Sequence, residues 1–305
     1  MWVSICIVLI VLLLLWPWLL EFRRSPMDAR ARARAPGGFV DLSKGKTHYR
    51  WDGPETGPVV VAIHGLTTPN FIWNAIVPRF TARGIRVLRY DLYGRGFSDR
   101  PHGPQDRAFF LGQLNELLDA LDLTEPVGVM GYSMGGAIAT AFAAEHPNRT
   151  RNVILVAPAG LGFEATPFEA FVARMPILGD WVMGLLYERR TRRALKDDED
   201  GEVPGITKAK ARELNYKGHI RSVLASLRGI LLERMLEDHE KIAALKIPVL
   251  SIWAENDDVI PLRGLGHLTQ INRASRNDMI SGAGHILPHT HAAEIMASLG
   301  ALSRP

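Results

Sequence analysis

The chain is nearly devoid of cysteine: Cys6 is the only one in 305 residues. That excludes an intrachain disulfide and a thiolate metal centre, and it leaves the redox compartment open. Charge of one sign is scarce as well. The formal net charge is +4, and most of it is local: Arg23, Arg24, Arg30, Arg32 and Arg34 face only Glu21 and Asp28 between residues 21 and 35. The rest of the chain is close to neutral, which excludes a broad electrostatic footprint for nucleic acid. There is no internal repeat, and no low-complexity tract beyond the arginine stretch. The length suits one large domain, or one domain carrying an insertion.

Residues 2–20 lack charge altogether, in the run WVSICIVLIVLLLLWPWLL. As a helix these 19 residues rise about 28 Å, close to the thickness of a bilayer core. A cleaved signal peptide has a basic leader, a shorter apolar stretch and a small-residue cleavage site. Here no Lys or Arg precedes the run, and Trp16 and Trp18 sit near its end like interfacial anchors. The sequence therefore predicts a retained single-pass anchor. The arginines that follow place the body on the cytoplasmic side by the positive-inside rule.

Beyond the anchor and its basic stretch (residues 1–35), strands and helices alternate. FVDLSKGKTHYRWDG reads as an opening antiparallel hairpin turning at Gly45. Buried strands are predicted at Val59–Gly65, Arg86–Asp91, from Val127, at Asn152–Ala159, at Ile247–Glu255 and near Asp278–Ser281. Helices are predicted at Ile72–Ala82, Phe109–Leu123, after Met134 with one apolar face, and after Pro288. Such alternation implies a mostly parallel sheet with helices on both faces. Residues 160–244 break the rhythm with helical patterns and no strand. They are read as a helical lid between a first core segment (36–159) and a second (245–305). The charge block ERRTRRALKDDEDGE inside the lid reads as a solvated helix and loop.

The chemistry concentrates at one turn. Gly131-Tyr132-Ser133-Met134-Gly135 is G-x-S-x-G between a strand and a helix. The glycines allow a strained, closely packed turn that displays the serine oxygen at the carboxyl end of the sheet. The helix starting at Met134 points its free N–H groups at the same place. A serine hydroxyl needs a base. Downstream, WAENDDVIP ends a strand with Asp257 and Asp258, and GAGHILPHTH offers His285 after the last strand. Ser, Asp, His in that order fits a hydrolase built on such a turn. His285, His289 and His291 do not suggest a metal site, because Pro288 interrupts the turn and no carboxylate or thiol companion is evident. Asp91 and Arg95 read as loop-building residues, and His64 as a residue that packs or hydrogen-bonds within its own loop.

Four stretches, HGLTT at His64, RYDLYGRGFSDRP at Arg89, GYSMGG at Gly131, and WAENDDVIP with GAGH, resemble the α/β-hydrolase superfamily across residues 38–299. The resemblance implies a Ser133 nucleophile, a His285 general base and acid, and Asp257, rather than Asp258, as the orienting carboxylate. It also implies oxyanion-hole N–H groups at Leu66 and Met134. Trp253-Ala254 departs from the Trp-Gly frequent in the family, without mechanistic consequence. A serine nucleophile favours acyl transfer to water, with no cofactor and no metal. The anchor, together with Phe163, Phe168, Phe171, Met175, Trp181, Met183 and Tyr187 in the lid, suggests a lipid or acylglycerol ester drawn from the membrane; the same side chains would equally serve as the lid's own core. A carbon–carbon bond hydrolase of ring-cleavage products and a haloperoxidase-like perhydrolase use the same three residues. A receptor on the same fold is the non-enzymatic alternative.

Overall fold

A computed structural model describes residues 1–300. Eight strands form one sheet: β1 (Gly38–Leu42), β2 (Gly45–Asp52), β3 (Val59–Ile63), β4 (Arg86–Tyr90), β5 (Val127–Tyr132), β6 (Thr150–Val156), β7 (Val249–Ala254) and β8 (Arg276–Ile280). Their order is β1-β2-β4-β3-β5-β6-β7-β8. β2 pairs antiparallel with both β1 and β4, and every other neighbouring pair is parallel. The central strands are apolar without alternation because helices cover both faces: every residue of β3, β5 and β7 is buried.

The helices are α1 (Trp2–Arg23), α2 (Ala29–Arg32), α3 (Val77–Thr81), α4 (Arg107–Ala120), α5 (Met134–Glu145), α6 (Pro167–Arg174), α7 (Leu178–Ala194), α8 (Ile206–Glu213), α9 (His219–Arg228), α10 (Leu236–Ala244), α11 (Arg263–Ile271), α12 (Leu287–Thr290) and α13 (Ala292–Gly300). One face of the sheet shares a core with α4 and α5, including Leu114, Ile138 and Phe142; the other packs Trp73, Ile76, Phe80, Ile295 and Met296. α5 was expected to have a single apolar face, yet Met134 through Ala144 are all buried. It is enclosed because β5, β6, α4 and α10 surround it. The stretch expected as a helix at Ile72–Ala82 is a 3-10 turn over Asn70–Ala75 followed by the short α3, with Pro78 near the start of the latter.

Helices α6 to α10 lie between β6 and β7, at the position predicted for the lid. A capping box at Thr166 and Glu169 starts α6. Arg228 binds α6 to α7: its guanidinium donates to the carbonyls of Val172 (2.7 Å) and Met175 (3.1 Å) and pairs with Asp180 (2.8 Å). Arg95 ties the lid to the body by donating to Ser226 Oγ at 2.8 Å and to the Ser222 carbonyl at 3.2 Å. The lid's large apolar residues divide by position. Met183 is buried, Phe163, Phe168 and Tyr187 pack on the core, and Phe171 and Met175 stay exposed.

α1 is long and apolar enough to cross a membrane. The basic stretch after it is not a bare tether. Arg24 Nε donates to the Leu214 carbonyl (2.9 Å), and its guanidinium pairs with Glu21 (2.6 Å) and Glu188 (2.7 Å). Ser25 makes a parallel bridge with Tyr216, and Arg32 reaches the Phe97 carbonyl (2.9 Å) and Asp99. Residues 21–32 are thus built into the body across the expected boundary at residue 35.

Candidate active site

Ser133 follows β5 with φ 52° and ψ −119°, a left-handed conformation that costs energy for a residue with a side chain. Its neighbours explain how the turn is held. A Cβ on Gly131 would lie 2.1 Å from the Gly135 carbonyl oxygen, and one on Gly135 would lie 2.2 Å from the Ile63 carbonyl oxygen. Only glycine lets the turn approach β3 so closely. Ser133 N–H donates to the Val156 carbonyl (3.0 Å), and the Ser133 carbonyl accepts from Gly136 (2.8 Å) and Ala159 (3.0 Å). The backbone is therefore saturated, while Oγ faces the loops after β7 and β8.

Those loops bring the other two residues to it. His285 Nε2 lies 3.0 Å from Ser133 Oγ, and His285 Nδ1 lies 2.8 Å from Asp257 Oδ2. The other carboxylate oxygen, Oδ1, accepts from the Val259 (2.9 Å) and Ile260 (2.7 Å) N–H groups, which leaves Oδ2 aimed at the imidazole. The Asp257 side chain is 1% exposed and that of His285 is 16% exposed. Asp258, the neighbouring alternative, is exposed. Tyr132 supports the histidine from below by donating its hydroxyl to the His285 carbonyl at 3.0 Å. This arrangement can hold Nδ1–H on Asp257 and leave Nε2 free to take a proton from Oγ.

Met134 opens α5, so its N–H belongs to the unpaired first turn beside Ser133. The Leu66 N–H is set by its own peptide. His64 Nδ1 lies 2.7 Å from the Gly65 carbonyl, and His64 Nε2 accepts from the Leu92 N–H at 2.9 Å. An amide N–H can only donate, so the proton of the neutral ring sits on Nδ1 and is given to Gly65. Fixing that carbonyl fixes the opposite edge of the same planar peptide, the Leu66 N–H. His64 is fully buried, and burial pushes its pKa down to about 4, so it is neutral at physiological pH. The sequence suggested that His64 packs or hydrogen-bonds within its own loop; the structure gives the bonds, to the Gly65 carbonyl and from the Leu92 N–H, and the first of them orients the Leu66 N–H.

Behind this loop lies a polar hub. Asp91 accepts from the Asn70 N–H (2.9 Å), Asn70 Nδ2 (2.6 Å), His48 Nδ1 (2.7 Å) and the Phe97 N–H (3.0 Å). Burial alone would raise its pKa, but the hydrogen bond and charge of His48 hold the carboxyl at about 2. Asp91 and Arg95 thus join the loops around residues 64–70 and 91–98, and neither touches Ser133. Among the described residues, no group of three His, Cys, Asp or Glu side chains is placed to hold a metal ion. Among the described residues, the buried His289 has no hydrogen-bond partner on either ring nitrogen, and His291 Nδ1 meets Thr290 Oγ1 at 2.9 Å.

Residues 58–292, which hold most of this mostly parallel sheet and all three residues of the relay, match one family model, that of the alpha/beta hydrolase fold. The chain belongs to the α/β-hydrolase fold family. This α/β-hydrolase is 29% identical over 240 residues to the 2-hydroxy-6-oxo-2,4-heptadienoate hydrolase of Pseudomonas putida, an alignment covering 75% of this chain and 83% of that one. It is 26% identical over 278 residues to Lipase 3 of a Moraxella species, covering 88% and 82%. Among solved structures, the bromoperoxidase of Bacillus anthracis superposes with a TM-score of 0.74 at 21% identity, covering 88% of this chain and 99% of that one. That likeness speaks to the fold. With the family shown and the named relatives hydrolases, the α/β-hydrolase is a hydrolytic enzyme.

Proposed function

We propose that this α/β-hydrolase is a membrane-anchored serine esterase acting on lipid or acylglycerol esters. The observation that carries the reading is the continuous relay from Ser133 Oγ through His285 to the buried Asp257. In it, Oγ attacks the ester carbonyl while His285 Nε2 takes the hydroxyl proton. The N–H groups of Leu66 and Met134 receive the developing oxyanion, and Asp257 stabilises the imidazolium. His285 then protonates the departing alcohol. Water, deprotonated by the same nitrogen, opens the acyl-enzyme and regenerates Ser133.

The lipid part rests on α1 and the lid. Contacts of the apolar run itself support a retained α1, because a discarded leader has no use for a seam with the mature fold: Trp181 Nε1 donates to the Leu14 carbonyl (3.1 Å), and Pro17 is buried against Gly184. The exposed Phe171, Met175, Ile177 and Leu178 at the lid margin support an apolar surface nearby. By the positive-inside rule the body is cytoplasmic. A second reading, carbon–carbon bond hydrolysis, is favoured by the Pseudomonas relative's name.

The test is a panel of monoacylglycerols, short aryl esters, acyl-thioesters and a ring-cleavage dienoate, offered to the full chain and to a chain beginning at Glu21. The shorter chain keeps the bonds of Glu21, Arg24 and Ser25 and loses only the apolar run. We expect it to retain kcat on soluble esters and lose apparent activity on long-chain esters in liposomes, where local concentration supplied part of the rate. Turnover of the dienoate alone would favour the second reading.

A further inference from the structure

We infer that a groove between α1 and α7 binds the phosphate headgroup of an anionic phospholipid, docking the lid on the membrane beside the anchor. The inference rests on reading α1 as a retained membrane span.

α7 runs parallel to α1, in matched register. Trp181 Nε1 donates to the Leu14 carbonyl (3.1 Å), a Cβ on Gly184 would lie 2.9 Å from Pro17 Cβ, and Arg24 pairs with Glu188 (2.7 Å). Pro17 is the one buried residue of α1, and it is buried by this seam. Because the register is parallel, the start of α7 lies beside the middle of the apolar run. Leu14 is seven residues before Glu21, the first charge after that run, so the Trp181 contact sits about 10 Å inside it. The start of α7 presents apolar side chains to match, Ile177 82% exposed and Leu178 48% exposed, and its one carboxylate, Asp180, is paired with Arg228 at 2.8 Å. Such a tip suits hydrocarbon and is costly in water.

Further along α7 the chemistry changes at the level where the run ends. A cavity of about 800 Å³ is lined by Leu20 and Leu185 and by Arg189, Arg192, Arg193 and Lys196. All four cations are exposed. Glu188, the carboxylate in the groove, is already shared between Arg24 (2.7 Å) and Arg192 (2.9 Å). The side chains of Arg189, Arg193 and Lys196 have no hydrogen-bond or carboxylate partner among the described residues. Of the acidic block that follows, Asp198 is taken by Lys210 (2.6 Å) and Asp200 by the turn into α8, while the exposed Asp197 and Glu199 are not among the residues that line the cavity. Unpaired guanidinium forks at headgroup depth, over a leucine floor, suit a phosphodiester with its acyl chains running down α1.

The experiment uses the full chain in nanodiscs and vesicles of phosphatidylcholine, with and without about one-fifth phosphatidylglycerol by mole, read by native mass spectrometry and vesicle flotation. Wild type should retain phosphatidylglycerol in preference to phosphatidylcholine. The triple variant Arg189→Gln, Arg193→Gln, Lys196→Gln should lose that preference while keeping its melting temperature. The loss should be roughly fivefold for each charge removed, so on the order of a hundredfold at low salt, and smaller as salt is added. Equal retention of the two lipids by wild type overturns the inference, as does a variant that keeps the preference. Displacement of phosphatidylglycerol by millimolar inorganic phosphate would make this a site for free phosphate and also overturns it. The underlying reading fails separately: an intact mass lacking the first residues, or no flotation with pure phosphatidylcholine vesicles, would remove the span itself.

Discussion

His64 offers a perturbation whose two hydrogen bonds can be removed one at a time. Its Nδ1–H holds the Gly65 carbonyl and its Nε2 holds the Leu92 N–H. An asparagine amide nitrogen reaches about where Nδ1 lies, whereas a glutamine amide reaches the Nε2 position. His64→Asn therefore keeps the bond that orients the Leu66 N–H and abandons Leu92; His64→Gln does the reverse. The site is fully buried, so each variant strands a backbone group and loses about 1–3 kcal/mol of stability. The catalytic costs should differ. Removal of one oxyanion donor lowers kcat by about 10²–10³. In His64→Gln the donor is freed rather than deleted, so we expect a fall of about tenfold to a hundredfold, with KM little changed. His64→Asn should remain within about threefold of wild type on that scale. Steady-state hydrolysis of a short aryl ester gives kcat and KM, and thermal melts give the matched destabilisation. Equal kcat for the two variants, or the reverse ranking, would refute the assignment of the Leu66 N–H as a donor held by His64.

Further expectations concern the relay and a buried carboxyl. Ser133→Ala and His285→Ala should each lower kcat by about 10⁵–10⁶, and the double variant should be hardly slower, because the residues act as one unit. Asp257→Asn should lose on the order of 10³–10⁴ in kcat through the wrong imidazole tautomer, while the exposed Asp258→Asn stays near wild type in the same assay. Burial raises the Glu213 carboxyl from 4.5 to about 7, against the opposing pull of Arg100. Between those values the folded chain holds a proton that the unfolded chain has lost, so this contribution to stability fades as pH rises from about 4.5 to about 7. Glu213→Gln should flatten that slope in melts across pH 5 to pH 8; an unchanged slope would mean the carboxyl does not titrate there.

The central strands were legible because each is a short apolar run bounded by turn residues, and a strand covered on both faces needs no alternation. Their ends were less so. β6 stops at Val156, where Ala157 turns to φ 42°, a backbone choice that no side chain announces. Ser133, Asp257 and His285 were readable because each sits in a local pattern at a strand end. That His64 would pack or bond within its own loop was readable as well; which carbonyl and which amide it meets was not, since every residue possesses both. The docking of α1 was hidden for a related reason. Trp181 reads as a lid aromatic and Arg24 as one basic residue among five, until the fold sets one against Leu14 and the other against Leu214 and Glu188.

The central claim, that Ser133 is the nucleophile activated by His285, is tested most directly by a fluorophosphonate label. The full chain in detergent is treated with the probe, digested, and the modified residue located by mass spectrometry. One probe per chain should be found on Ser133, with labelling abolished in Ser133→Ala and slowed by orders of magnitude in His285→Ala. A label on another serine, or an unlabelled wild type that still hydrolyses its ester, would contradict it.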